Sequence, residues 1–379
     1  MSNENNNTST AERQEQHNKV VDLSRDGHRH LKARRYAQAR TAFKEGLVIE
    51  PNNPYLLTGM GDLLRAEKRY AECRECYLKV LEHDQNNLFA LRGLGDACRT
   101  EKRYEEALGY WRRYLDKRPR DIFVLTRVAD AHKNLGHHEE SEALYRKALE
   151  IRKDDRYALL GLADLYHKTN RFKLAIHYYR EVLDSGIEPL NVLTMVGNLY
   201  RHLGQPKEAQ GFFERTLKRE PDNTYALFGL GDVLRWQGFF EEATTHWERL
   251  LELVEGTIPM LTRLGDIYQR LNRFEDSQRI YQKVLDQGYD LYANAGLARL
   301  SILREEPSRA CELYREILAH EKTETRFCVE LSEELLRNNQ PQLARELTRE
   351  ALEHHRDQGE VFNELEHLLE PVMTTLESQ

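Results

Sequence analysis

Apolar residues recur along the chain in two alternating helical stripes that are separated by short polar segments. In windows of 34 residues, places 4, 7, 8 and 11 form one stripe, and places 20, 24 and 27 form the next. Residues spaced three or four apart lie on one face of an α-helix. Sustained alternation of apolar and polar residues, which would indicate strands, is missing from the sequence. The pattern predicts an all-α protein built from pairs of helices.

The windows follow one another with a single slip. They start at residues 20, 54, 88, 122, 156, 190, 224 and 258, lose one residue near Gly288–Asp290, and restart at 291 and 325. The predicted domains are therefore a tail at residues 1–18, ten repeats at residues 20–358, and a C-terminal segment at residues 359–379. The first tail is rich in Asn, Ser, Thr and Glu and has little to bury, so we expect it to be disordered.

Three places in the windows are restricted in residue type. Place 8 is Gly, Ala or Ser, and place 20 is Ala, Ser or Cys, in every window. Place 24 is aromatic in nine of the ten windows, with Thr348 as the exception. These aromatic residues are Phe43, Tyr77, Trp111, Tyr145, Tyr179, Phe213, Trp247, Tyr281 and Tyr314. Small residues at places 8 and 20 predict two closely packed helices, with the aromatic ring filling the space that they leave.

The period and the small, small, aromatic places together resemble the tetratricopeptide repeat (TPR). The resemblance covers residues 20–358 and implies an α-α superhelix, a right-handed solenoid in which the first helix of each pair lines the concave surface. A solenoid needs its ends covered, so the apolar spacing of residues 359–379 predicts a C-terminal capping helix, interrupted or kinked at Pro371. The alternative is a helix offered to a partner's groove.

The concave surface implied by the resemblance carries places 2, 5, 9, 12 and 13. Place 9 forms an acidic row, place 12 a basic row, and place 2 an aromatic row. The acidic row is Asp62, Asp96, Asp130, Asp164, Asn198, Asp232 and Asp266, before Arg299 breaks it. The basic row is Arg65, Arg99, Lys133, His167, Arg201, Arg235 and Gln269, before Ile302 breaks it. The aromatic row includes Tyr55, Phe89, Phe123, Tyr157, Tyr225 and Tyr292.

The rows have two compatible interpretations. An Asp three residues before an Arg on one helix forms an (i, i+3) pair, which would make the rows structural. Alternatively, the rows hold an extended peptide, for which aromatic and Arg residues are favoured anchors. We favour the structural role as the main one, although a peptide could exchange with the pairs. Some family members grip a C-terminal carboxylate, but the Asp residues at place 9 would repel it, and Thr194 stands where a Lys would be needed.

Charge and composition narrow the partner class. The net charge is −7, which lacks the basic excess typical of nucleic-acid binders. We therefore expect a protein or extended peptide as partner, no nucleic acid and no membrane, with self-association as an option. The N-terminus lacks the apolar core of a signal peptide, and the five cysteines are irregularly spaced, so we expect a cytoplasmic protein.

Catalysis finds little support in the sequence. Cys73 and Cys76 form a CxxC, but Cys73 occupies the small core place 20, and no second pair completes a zinc site. We therefore predict no metal, no cofactor and no enzyme activity. The leading hypothesis is a scaffold or adaptor that binds a partner in its groove. The alternatives are a regulatory non-catalytic subunit of an enzyme complex, an RNA-binding helical-repeat protein and, last, an enzyme in its own right.

Overall fold

The computed structural model describes residues 2–186, 188–321, 325–357 and 360–377, with side chains left undescribed at 2–13, 360, 361, 364 and 375–377. The chain divides into two compact units, Met1–Pro189 and Leu190–Gln379. The division falls between the fifth and sixth predicted windows. Each unit consists of helices that pack in successive pairs.

The first unit contains five helix pairs. Their bounds are α1 Ser2–Lys32, α2 Tyr36–Ile49, α3 Pro54–Ala66, α4 Tyr70–His83, α5 Leu88–Thr100, α6 Tyr104–Lys117, α7 Ile122–Leu135, α8 His138–Ile151, α9 Arg156–Lys168 and α10 Phe172–Asp184. The second unit contains five further pairs and a last helix. Their bounds are α11 Leu190–His202, α12 Pro206–Arg219, α13 Thr224–Gln237, α14 Phe240–Leu253, α15 Ile258–Arg270, α16 Phe274–Leu285, α17 Leu291–Leu303, α18 Pro307–His320, α19 Arg326–Arg337, α20 Pro341–His355 and α21 Glu360–Glu377.

The predicted register agrees with these bounds. Helices α3, α5, α7, α9, α11, α13, α15 and α17 begin at the predicted window starts, and α19 begins one residue after its own. Several of these helices start where an Asn or Asp side chain accepts from a backbone N–H of the first turn, as Asn87 does from Ala90. The turn inside each pair places residue 15 of the window in the left-handed region, with Lys68 at φ 63° and Gly136 at φ 85°. All-α repeat architecture is confirmed.

The two chain ends differ from expectation. The backbone of α1 begins at Ser2, so the segment expected to be disordered is described as a helix that continues into the first repeat without a break. Helix α21 runs through Pro371 without interruption. Its Leu365, Leu369 and Val372 are buried in one cluster with Leu347 of α20, so this helix covers the last repeat.

No helix among the described residues is both long enough and apolar enough to cross a bilayer.

The aromatic ring at place 24 is the centre of each repeat. It packs against a glycine at place 8 of its own repeat, so a Cβ on Gly61 would lie 2.8 Å from the Tyr77 ring. It also packs against place 6 of the next repeat, where a Cβ on Gly93 would lie 2.4 Å from the same ring. Sequence reasoning identified the first contact but missed the second. The ring therefore joins neighbouring repeats as well as the two helices of one repeat.

Replacing Gly161 by Ala tests this contact between repeats. A Cβ there would lie 2.2 Å from the Tyr145 ring, and overpacking of this kind costs about 1–3 kcal/mol. We expect a lower melting temperature of the full chain in calorimetry. Gly109→Ala is the matched control, because that exposed helical glycine has no neighbour within 4 Å and should gain up to about 1 kcal/mol. Equal effects of the two substitutions would contradict the packing argument.

Asn294 offers a second test of the core. Place 4 is Leu in every window from the second to the eighth, but Asn294 occupies it in the ninth. Asn294 is fully buried, and neither side-chain amide atom has a hydrogen-bond partner among the described residues. Because an unpaired buried polar group costs about 1–3 kcal/mol, we expect Asn294→Leu to raise the denaturant midpoint by a corresponding amount. A lowered midpoint would show that the amide has a structural role.

Candidate functional site

The first unit carries a groove on its odd-numbered helices. A cavity of about 630 Å³ is lined mainly by residues of α1, α3, α5 and α7, including Tyr55, Phe89 and Phe123 of the aromatic row. A second cavity, of about 610 Å³, continues along α7 and α9 and shares Phe123 and Arg127 with the first. The two cavities thus form one groove, lined at the places that the sequence assigned to the partner-binding surface.

The aromatic row lies on the surface. The side chains of Tyr55, Phe89, Phe123, Tyr157 and Tyr225 are between 48% and 74% exposed. Large apolar groups in this arrangement are typical of contact surfaces. In the second unit, a cavity of about 370 Å³ lies between α13 and α15 and is lined by Arg235, Trp236, Phe240, Arg263 and Arg270, among others.

Four members of the acidic row accept a hydrogen bond from the tyrosine at place 24 of the same repeat. Tyr77 donates to Asp62 at 2.8 Å, and Tyr145 donates to Asp130 at 2.5 Å. The same bond joins Tyr179 to Asp164 at 2.5 Å and Tyr281 to Asp266 at 2.7 Å. These carboxylates remain between 40% and 54% exposed. The tyrosine hydroxyl thus fixes each carboxylate, and Asp62, Asp130 and Asp164 line the groove whereas Asp266 lines the cavity of the second unit.

The hydroxyl groups of these tyrosines have strongly raised pKa values. Burial, followed by the charge of Asp130, raises the pKa of Tyr145 far above its ordinary value. Burial has the same effect on the pKa of Tyr77, where Asp62 is the second cause. The hydroxyl groups therefore stay protonated and available as donors throughout the physiological pH range.

The two repeats with tryptophan at place 24 are different. Without a hydroxyl on Trp111 or Trp247, Asp96 and Asp232 take arginine partners instead, and both carboxylates are buried. Asp96 accepts from Arg127 of the next repeat. Asp232 accepts from Arg201 at 2.8 Å and from Arg235 at 2.9 Å. The identity of the aromatic residue therefore determines whether the neighbouring acid is exposed or buried.

The sixth repeat shows a third combination of the residues at places 24 and 9. Its place 24 is Phe213, which can donate no hydrogen bond, and its place 9 is the uncharged Asn198. Asn198 is half-buried on α11. A phenylalanine thus stands where the acidic row has no charge.

The expected (i, i+3) pairs form in only part of the rows. They join Asp62 to Arg65 at 2.9 Å, Asp130 to Lys133 at 3.1 Å, and Asp232 to Arg235 at 2.9 Å. Among the other described acids, Asp164 and Asp266 have His167 and Gln269 at place 12 instead of Arg or Lys, and Asp96 binds Arg127 of the next repeat. Same-helix pairs therefore account for part of the rows, and links between neighbouring repeats, such as Arg201 to Asp232, account for another part.

The other members of the basic row each contact a different kind of group. Gln269 donates to the Gly296 carbonyl at 2.6 Å, His167 lies 6.2 Å from the ring of Phe172, and Arg99 lines the second cavity. The row was expected to break at Arg299, yet Arg299 binds Asp266 at 3.0 Å and approaches Glu330 at 3.6 Å. The charge pairing between repeats therefore continues with reversed sign.

Sequence reasoning missed Arg127 and Arg263, which lie at place 6. The sequence contained a signal for them. Place 6 is Arg in the repeat that follows each tryptophan, but it is Gly in several of the repeats that follow the other aromatic residues. Cys73, by contrast, is a fully buried residue at place 20, and burial raises its pKa to about 12, so its thiol is not activated.

A double-mutant cycle at Tyr145 and Asp130 tests the hydroxyl–carboxylate bond. We expect Tyr145→Phe to lower the free energy of unfolding by about 1.5–3 kcal/mol, because it removes one hydrogen bond to a charged group. In the background of Asp130→Asn, the same change should cost less, as the natural Phe213–Asn198 pair suggests. Strictly additive effects in chemical denaturation would contradict the coupling.

Comparisons with known proteins agree with this geometry. Four family models described as tetratricopeptide repeat match residues 121–188 and 223–287, residues 30–95, residues 262–323, and residues 192–224. No curated protein matches the chain.

Several solved structures resemble part of this chain. The structure of PilW, described as a widely conserved type IV pilus biogenesis factor, is 15% identical with a TM-score of 0.51, covering 57% of this chain and 98% of that one. The structure of Pseudomonas aeruginosa pilF is 18% identical with a TM-score of 0.49, covering 56% and 96%. YrrB, described as a TPR protein with an unusual peptide-binding site, is 23% identical with a TM-score of 0.44, covering 48% and 95%. At these identities the likeness concerns the fold alone.

Proposed function

This chain belongs to the tetratricopeptide repeat family, and we propose that it is a scaffold that binds a protein partner through an extended segment held on its odd-numbered helices. Repeats of this family support a role in protein interaction generally, and the family consists typically of non-catalytic scaffolds. The peptide groove, and the choice of the first helices as its walls, are the specific part of the proposal.

The observation that carries the proposal is the exposed aromatic row. Phe89 is 60% exposed and Tyr225 is 73% exposed, although most other apolar residues of their helices are buried or half-buried. Fold packing does not require large rings at these places. An interface does use them, since aromatic side chains bury much area on binding.

The cavities support the same surface. Both cavities of the first unit are bordered by the aromatic row, and each also contains members of the acidic and basic rows. Aromatic side chains beside fixed donors and acceptors can hold both the apolar side chains and the polar backbone of an extended segment. A groove of this composition fits a peptide better than a small apolar ligand.

Truncating the aromatic row should abolish partner capture while leaving the fold intact. We expect the double variant Phe89→Ala and Tyr225→Ala to retain at most a tenth of the specific partners in an affinity pull-down quantified by mass spectrometry. The melting temperature should change little, because exposed surface residues contribute within about 0.5 kcal/mol.

Val48→Ala is the matched control for that experiment. Val48 is 82% exposed but lies on the even-numbered helix α2. The control should capture the same partners as the unchanged chain. Equal capture by the double variant would refute the proposed binding surface.

A further inference from the structure

One group of five residues occurs twice in the chain, four repeats apart. It comprises Trp at place 24, Asp at place 9, Arg at place 12, Arg at place 12 of the preceding repeat, and Arg at place 6 of the following repeat. We call these groups the first and second arginine stations. The first is Arg65, Asp96, Arg99, Trp111 and Arg127; the second is Arg201, Asp232, Arg235, Trp247 and Arg263. Each station lies within one of the two units.

The second station gathers three guanidinium groups around one carboxylate. Asp232 has a side chain only 1% exposed and lies 2.8 Å from Arg201, 2.9 Å from Arg235 and 3.6 Å from Arg263. One buried carboxylate can neutralise only one of these cations. The station therefore carries an excess of positive charge in a chain whose net charge is negative.

The first station has the same composition with one local difference. Arg127 binds the buried Asp96 and lies over the Phe123 ring at 3.6 Å. Arg65 turns instead to Asp62 of its own helix, whereas its counterpart Arg201 has only Asn198 there and binds Asp232. The cavity at this station is lined by five basic residues but only two acidic ones. Positive charge is thus in excess here as well.

The arginines of the stations keep unused donors. The Nε atoms of Arg65, Arg99 and Arg201 are buried, and none has a hydrogen-bond partner among the described residues. A buried N–H that lacks an acceptor is costly. An oxygen anion is the acceptor that a guanidinium binds best, because two of its N–H groups can reach a carboxylate at once.

Aromatic residues flank both stations, and all of those named here except the half-buried Phe240 are exposed. Phe89 and Tyr55 border the first cavity, and Trp236 and Phe240 border the cavity that Arg235 and Arg263 line. An anion bound at either station would therefore have apolar neighbours on the protein. This arrangement fits an acidic side chain that is followed or preceded by aromatic or aliphatic side chains.

A peptide fits these stations better than a nucleic acid. The excess charge is local, since the second cavity of the first unit, which Arg99 and Arg127 of the first station also line, has as many acidic as basic side chains. Asp62, Asp130, Asp164 and Asp266 stay exposed along the odd-numbered helices and would repel a continuous phosphate backbone. A peptide can carry separate carboxylates that lie beside the arginines, with uncharged segments beside the exposed aspartates.

We propose, building on the proposed function, that each chain binds acidic, aromatic-containing peptide segments at two equivalent arginine stations, one in each unit. The stations specify the partner chemistry of the groove: a Glu or Asp inserted among the arginines, beside apolar side chains. Recognition requires no free C-terminal carboxylate, because the arginines are placed for side-chain carboxylates along an extended segment.

Isothermal titration of the full chain with a synthetic peptide tests this proposal. The probe alternates Glu and Phe and is acetylated and amidated, so it has no terminal carboxylate. We expect two equivalents to bind at low salt, with at least tenfold weaker binding at high salt. The matched peptide with Gln in place of Glu should bind at least tenfold more weakly.

Variants assign the two equivalents to the two stations. Arg263→Gln should remove one equivalent, as Asp232 keeps two arginine partners. At the first station Arg127→Gln is combined with Asp96→Asn, so that no buried carboxylate loses its partner; this pair should remove the other equivalent. Arg304→Gln is the control, because Arg304 pairs with Glu275 and Gln278 and lines none of the three cavities described above.

Three outcomes would overturn the proposal: no measurable binding of the acidic peptide, retention of both equivalents in the station variants, or tighter binding of oligouridylate than of the peptide. These outcomes are distinguishable from failure of the proposed function. A partner that is lost from the aromatic-row variant but captured fully by both station variants would preserve the groove and refute the stations alone.

Discussion

The packing of the aromatic ring at place 24 against the small residue at place 8 of its own repeat, and in several repeats against a glycine of the next, is the contact on which the rest of the molecule depends. The ring of Tyr77 shows the constraint: it packs against Gly61 of its own repeat and against Gly93 of the next only because neither residue has a side chain. Close packing in both directions makes each repeat a support for its neighbour. Stability in such an array is the sum of repeat and interface terms.

The chemistry of the groove follows from the same ring. A tyrosine carries its hydroxyl to the groove edge and holds a half-exposed Asp there, as at Asp62 and Asp164. A tryptophan lacks that hydroxyl, so the acid of its repeat is buried with arginines. Trp247, for example, donates its indole N–H to the Phe228 carbonyl rather than to Asp232. One choice of core residue therefore alters the charge that the surface presents.

The sequence predicted more of the fold than of the site. Helix starts, the turn positions and the core places follow from a period of 34 residues, because each depends on neighbours close in the chain. The Tyr–Asp bonds join residues 15 apart on two different helices, and spacing along one helix could not reveal them. The link between Arg127 and Asp96 crosses from one repeat to the next, so it too lay beyond the reach of spacing along one helix. Of the places assigned to the surface, the aromatic row is exposed but Asp96 and Asp232 are buried, and the partners of the acids required the geometry.

The most direct test of the central claim is site-specific photo-crosslinking. A benzophenone amino acid at position 89 or 225, on odd-numbered helices, should crosslink to the bound partner, and one at position 48, on an even-numbered helix, should not. Mass spectrometry of the products would locate the contact on the partner. Crosslinks from position 48 together with none from positions 89 and 225 would place the binding surface elsewhere and contradict the account.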